Sequence, residues 1–130
     1  MSDWDSQSKD LAAITLFAED LKGTKQFYLD VFNLPVHYED DNSVVFRFGS
    51  TLINLLHITS APELISPAVV AASDGGARFV FTIEVDDVDA VCEELTRRGV
   101  TLLNGPVDRW WGIRTASFTD PCGNIWEIAK

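Results

Sequence analysis

Basic residues are scarce in this chain. Ten lysines and arginines against twenty aspartates and glutamates leave a formal charge of −10 over 130 residues. Such a field repels a phosphate backbone, so no nucleic-acid partner is expected. Cysteine is limited to Cys92 and Cys122, whose spacing suggests neither a metal knuckle nor a redox pair, and both read as free thiols. The two histidines, His37 and His57, fall at strand edges or turns and read as surface residues. No apolar run approaches the roughly 18 residues of a membrane span. The segment Met1 to Asp10 is polar and lacks the basic-then-apolar order of a secretory signal, so a cytoplasmic location without membrane partners is expected. Absent too are a serine or cysteine nucleophile motif, a phosphate-cradling glycine loop and a dinucleotide fingerprint, which leaves acyl transfer and nucleotide chemistry without support.

What is present is an ordinary globular composition, 46% hydrophobic and 23% charged. A chain of this length forms one domain and can stand on its core without disulfides or a structural metal. Residues 11–18 read as a buried strand. Asp20 then stands where it can cap a helix over 21–32, in which Leu21, Thr24, Phe27, Tyr28 and Val31 make one apolar face. Leu34-Pro35 stops that helix, and strands follow over 36–39, 44–48 and 51–57. Residues 59–77, with two prolines and two glycines among small apolar residues, read as a linker or flap. The pattern then restarts. Residues 78–85 alternate as a strand, Asp86-Asp87 caps a helix with Val88, Val91, Cys92 and Leu95 as its buried stripe, and Gly99 ends it. Strands over 100–103, 113–119 and 125–129 close the chain.

Strand, helix and three strands therefore occur twice, offset by 67 residues when Glu19-Asp20 is laid on Asp86-Asp87. The expected architecture is α+β: one domain over 1–130 made of two tandem βαβββ modules, about 11–58 and 78–130, joined by the linker 59–77. Their strands should form a curved, incompletely closed, mixed barrel-like sheet, with helices on the convex face and a concave cavity opposite.

Several segments in this order resemble the superfamily of glyoxalases, bleomycin-resistance proteins and extradiol dioxygenases, also called the vicinal oxygen chelate fold. They are Ile14-Thr15-Leu16-Phe17-Ala18-Glu19-Asp20-Leu21, Val85-Asp86-Asp87-Val88, Trp111-Gly112-Ile113-Arg114, and Phe118-Thr119-Asp120-Pro121-Cys122-Gly123-Asn124-Ile125-Trp126-Glu127-Ile128. Where relatives more often carry an acidic residue, this chain has Cys122. The turn itself is legible without the resemblance: Asp120-Pro121 opens it, Gly123 supplies positive φ, and Asn124 can bond local backbone.

The resemblance implies metal ligands at Ala13, Asn54, Val80 and Glu127, of which only Glu127 is a good donor. No cofactor is therefore expected, and a divalent metal at a displaced site, with His57 near Asn54, is the alternative. Glu127 is either a hydrogen-bonded wall carboxylate or a ligand anchor or general base. With it, strand parity and the family pattern place Thr15, Phe17, Thr82, Glu84, Thr115, Ser117 and Ile125 on the cavity wall. Trp111 is the preferred stacking residue for a planar or cationic ligand, with packing as the other reading, and one of Trp110 and Trp111 is expected in the core. Trp126 reads as core. Arg47 and Arg114 pair with cavity carboxylates, bind an anionic ligand or lie at the surface. The expected function is metal-independent binding or sequestration of a small aromatic or cationic molecule by a homodimer. The alternative is a lyase, isomerase or dioxygenase with a displaced metal site or with Glu127 as base.

Overall fold

The computed structural model describes residues 4–7 and 9–130, so part of the N-terminal segment lies outside the described residues. The order is β1 (Ala13–Ala18), α1 (Leu21–Phe32), β2 (Val36–Glu39), β3 (Ser43–Phe48), β4 (Thr51–His57), α2 (Ala61–Ile65), β5 (Val80–Glu84), α3 (Val88–Arg97), β6 (Leu102–Asp108), β7 (Arg114–Thr119) and β8 (Ile125–Ala129). The strands make two four-stranded mixed sheets, β1-β4-β3-β2 and β5-β8-β7-β6, that do not close into a barrel. In each, the first strand runs parallel to the last and the remaining pairs are antiparallel.

Both long helices start on an aspartate. The Asp20 carboxylate accepts from the Gly23 N–H at 3.0 Å and that of Asp87 from the Ala90 N–H at 3.1 Å, which satisfies amides that no helical carbonyl can reach. Asn33 closes α1 in the left-handed conformation just before Leu34-Pro35.

The apolar faces of the two modules meet in a shared core. Tyr28 of α1 stacks on Phe46 of the first sheet at 5.6 Å and meets Trp126 of the second edge-on at 6.1 Å. Phe48 stacks on Trp126 at 4.9 Å, and Phe32 lies against Phe118. Trp126 is buried, as its alternation with Glu127 requires. Asp120 fastens the same region. Although buried, its carboxylate accepts from the Tyr28 hydroxyl, the Cys122 and Asn124 backbone N–H groups and the Asn124 side chain. The Asn124 carbonyl also accepts from the Asp120 backbone N–H at 2.9 Å, the local bond expected of this turn, and Gly123 adopts the positive φ expected of it.

The segment 59–77 carries the short helix α2, with Pro62 in its first turn, where its missing N–H costs nothing. Two strand expectations need correction. Strand β5 is shorter than 78–85, and Phe79 is left 47% exposed beside Phe81. Strand β6 begins later than residue 100 and runs on past residue 103 through Gly105-Pro106, whose proline lacks a ladder N–H. Two register shifts against β7 absorb it without ending the ladder.

Candidate small-molecule site

Pairing register decides which side chains share a face, because residues directly opposite one another project from the same side of a sheet. Across the second sheet Thr82, Glu127, Ser117 and Asn104 form one such row. Its counterpart in the first sheet is Thr15, Asn54, Val45 and Tyr38. Glu127 alternates with buried Trp126 and Ile128, so its row lies on the side away from the core.

Glu127 is held by its neighbour. The Thr82 hydroxyl donates to Glu127 Oε1 at 2.9 Å, which leaves Oε2 open among the described residues. Thr115, two positions from Ser117, is on the same face and buried. What covers it is Arg109, whose Nε donates to Thr115 Oγ1 and whose Nη2 donates to Asn104 Oδ1, both at 2.9 Å. This half-buried guanidinium is the residue that sequence reasoning missed. The alternation of Val107 with Arg109 beside a threonine-rich strand was a signal, but the bulges in β6 hide which residues its side chain reaches.

The other candidates are distributed more widely. Thr15 and Phe17 line a cavity of about 330 Å³ together with Glu19, Arg78, Phe79 and Cys122. Thr82 and Glu84 border a recess of about 590 Å³ with Asp86, Ile113, Ala129 and Lys130. Asn54 borders a third, of about 450 Å³, beside Asp40, Asp41 and Glu63. Trp110 and Trp111 sit at the tip of the β6–β7 hairpin, edge to face at 5.4 Å and 92% and 54% exposed. The expectation that one of them is core is therefore corrected. A four-residue turn closed by the Gly112 N–H on the Arg109 carbonyl holds both beyond the sheet.

Arg114 points elsewhere, donating to Asp89 at 2.9 Å and to Asp108 at 3.0 Å, and so clamps α3 and β6 to β7. Arg47 is exposed. His57 caps the turn after β4 by bonding Thr59. Cys122 is half-buried against the Thr24 hydroxyl, and burial pushes its thiol pKa up, the opposite of an activated nucleophile.

The four positions at which the resemblance implies a metal do not fit one. Ala13 and Val80 carry no donor atom. Asn54 and Glu127 occupy equivalent strand positions, opposite Thr15 and Thr82, but the Asn54 amide donates to Thr15 at 3.3 Å. Its buried Oδ1 has no partner among the described residues, yet an amide oxygen is a weaker ligand than the carboxylate this position would need. Among the described residues no three His, Cys, Asp or Glu side chains converge.

Residues 10–128 match the model of the glyoxalase/bleomycin resistance protein/dioxygenase superfamily, and the chain belongs to that superfamily. It is 32% identical over 124 residues to an uncharacterized Bacillus subtilis (strain 168) protein, YraH, covering 92% of this chain and 97% of that one. The fold is similar to that of a glyoxalase/bleomycin resistance protein/dioxygenase from Nocardioides, with a TM-score of 0.85 at 21% identity, over 95% of this chain and 83% of that one. It is also similar to that of a lactoylglutathione lyase from Agrobacterium tumefaciens, with a TM-score of 0.75 at 20% identity, over 95% and 94% of the two chains. At these identities the likeness concerns the fold. No helix among the described residues is long and apolar enough to cross a membrane.

Proposed function

We propose that this protein binds a small aromatic or cationic molecule without a metal, and that it does so as a homodimer. The observation that carries the reading is the state of Glu127: one oxygen is satisfied by Thr82 and the other is open among the described residues, on a face lined with hydroxyls, in the sheet whose β6–β7 hairpin carries the exposed tryptophan pair at its tip. Such a carboxylate can accept from an ammonium or hydroxyl group, and Trp111 offers a face for stacking. The dimer reading draws support from the outer edges of β1 and β5, which no further strand among the described residues pairs, and from exposed Val80, Leu103 and Val107 on the second sheet.

Protein treated with a chelator is titrated with benzylamine and benzyl alcohol while tryptophan fluorescence is followed. Quenching that saturates, and that Trp111→Ala weakens about tenfold, supports the proposal. Binding that appears only after a divalent ion is restored overturns the metal-free reading. Light scattering at micromolar concentration tests the dimer, and a monomer mass rejects it.

A second reading is an isomerase or lyase with Glu127 as general base. It draws on the same open oxygen and on the lyase among the structural neighbours. Any turnover found must be lost in Glu127→Gln for this reading to stand.

A further inference from the structure

We propose that Arg109 is the carboxylate-binding residue of this protein, so that its ligand is a small aromatic molecule bearing a carboxylate. The inference rests on the binding function proposed above and names the ligand class. Its basis is the way the guanidinium is held. Lys25, Arg97, Arg98 and Arg114 each have a carboxylate partner within 3.7 Å. Arg47, Arg78 and Arg109 do not, among the described residues, and of these three only Arg109 has its guanidinium held by side-chain hydrogen bonds. Its two partners, Thr115 Oγ1 and Asn104 Oδ1, are neutral oxygens. They orient the planar group and leave its charge uncompensated. Of five N–H donors, two are used and three remain, enough for a fork-to-fork pair with a carboxylate.

A purely structural brace explains this less well, because the hairpin is already closed without it. The Arg109 N–H donates to the Ile113 carbonyl at 2.7 Å, the Gly112 N–H donates to the Arg109 carbonyl at 3.0 Å, and Asp108 pairs with Arg114 in the ladder. The side chain folds back over the strand to reach Asn104, five residues earlier. That places its charge over the face that Glu127 shares.

The spacing supports an aromatic scaffold. Thr115 and Ser117 are two residues apart on β7, about 6.5 to 7 Å along the strand, and Ser117 is directly opposite Glu127. A benzene ring with a carboxylate at one end and a hydrogen-bond donor at the other spans such a gap, meeting Arg109 with the first and Glu127 with the second. The acidic surroundings of Glu127, Glu84 and Asp86 favour a singly charged carboxylate over a phosphate dianion.

Three probes of nearly equal size, benzoate, benzyl alcohol and benzylamine, are titrated into wild type, Arg109→Gln and Arg109→Lys, with tryptophan fluorescence and melting temperature followed together. Inorganic phosphate is the fourth probe. The expected result is that wild type binds benzoate more tightly than benzyl alcohol or phosphate, that Arg109→Gln weakens benzoate about tenfold or more while leaving benzyl alcohol unchanged, and that Arg109→Lys, which keeps the charge and loses the fork, falls between. Equal weakening of benzoate and benzyl alcohol makes Arg109 a brace and overturns the inference. So does tighter binding of phosphate than of benzoate, or benzoate binding that Arg109→Gln leaves intact. Should Arg109→Gln fail to fold, Arg109→Lys decides, and unchanged benzoate affinity there counts against the fork. If wild type binds benzylamine or benzyl alcohol but not benzoate, this inference falls and the binding function stands. If it binds none of the four, the binding function falls with it.

Discussion

The Tyr28 hydroxyl donates to the Asp120 carboxylate at 2.7 Å, joining helix α1 to the β7–β8 turn across 92 residues of chain. The same hydroxyl accepts from Trp126 Nε1 at 3.2 Å, so three buried polar groups satisfy one another where the two modules meet. Burial, followed by the Asp120 charge, pushes the phenol pKa far above its ordinary value, and the hydroxyl stays protonated as a donor at any working pH.

Removing that hydroxyl leaves the ring packing intact and strips one donor from Asp120 and the acceptor from Trp126. Tyr28→Phe is expected to lower stability by about 1–3 kcal/mol, the cost of buried groups left without partners. Urea denaturation measures it, with an unchanged m-value showing that the fold is kept.

Asp40 sets an acid dependence. Its carboxylate accepts from the Asn42 N–H, the Ser43 hydroxyl and N–H, and the Tyr38 hydroxyl, and these bonds, that of Asn42 foremost, hold its pKa below the usual carboxylate range. A carboxyl lowered in the folded state contributes stability above its unfolded value of about 3.9 and loses it as pH falls through the lower folded value. The gap in melting temperature between wild type and Asp40→Ala should accordingly be constant from pH 7 to about pH 5 and shrink in stronger acid.

Neither cysteine should behave as a reactive thiol. Burial raises the pKa of both Cys92 and Cys122, so little thiolate forms near neutrality. Iodoacetamide at pH 7 should label the native protein far more slowly than the protein in guanidinium, by mass spectrometry. Rapid labelling of native Cys122 refutes the expectation.

Arg114 and Arg109 should respond differently. Because the Arg114 guanidinium is committed to Asp89 and Asp108, Arg114→Ala should lower the melting temperature by a few degrees at most and leave small-molecule binding unchanged. A loss of binding in Arg114→Ala places the ligand on the wrong side of β7 for the proposal made above.

Much of this molecule is legible in its sequence because local signals and tertiary demands agree. Asp20 and Asp87 cap helices that present Tyr28 and Cys92 to a core, and the alternation around Trp126 fixes its face. The equivalence of Asn54 with Glu127 also holds in the pairing registers. Arg109 was not legible, nor was the exposure of both hairpin tryptophans. Two bulges separate Asn104 from Val107, and a bulge breaks the two-residue rule by which sequence position reports direction. The helix within 59–77 was hidden for another reason: its five residues are too few for a helical period to show among small side chains.

Those bulges and the tip they carry bear on how the two halves diverged. Tyr38 and Asn104, at matching places in β2 and β6, are 66 residues apart, while their partners Val45 and Ser117 are 72 apart. Six additional residues thus fall within one hairpin, the one that carries Arg109, Trp110 and Trp111, and the first module has no equivalent. A duplicated scaffold can keep its core under strict packing constraint and confine novelty to such an extension, whose length and composition change without disturbing Tyr28, Asp120 or Trp126. For an engineer the hairpin is an exchangeable cassette: transplanting it should move ligand preference between relatives while the recipient's stability stays its own.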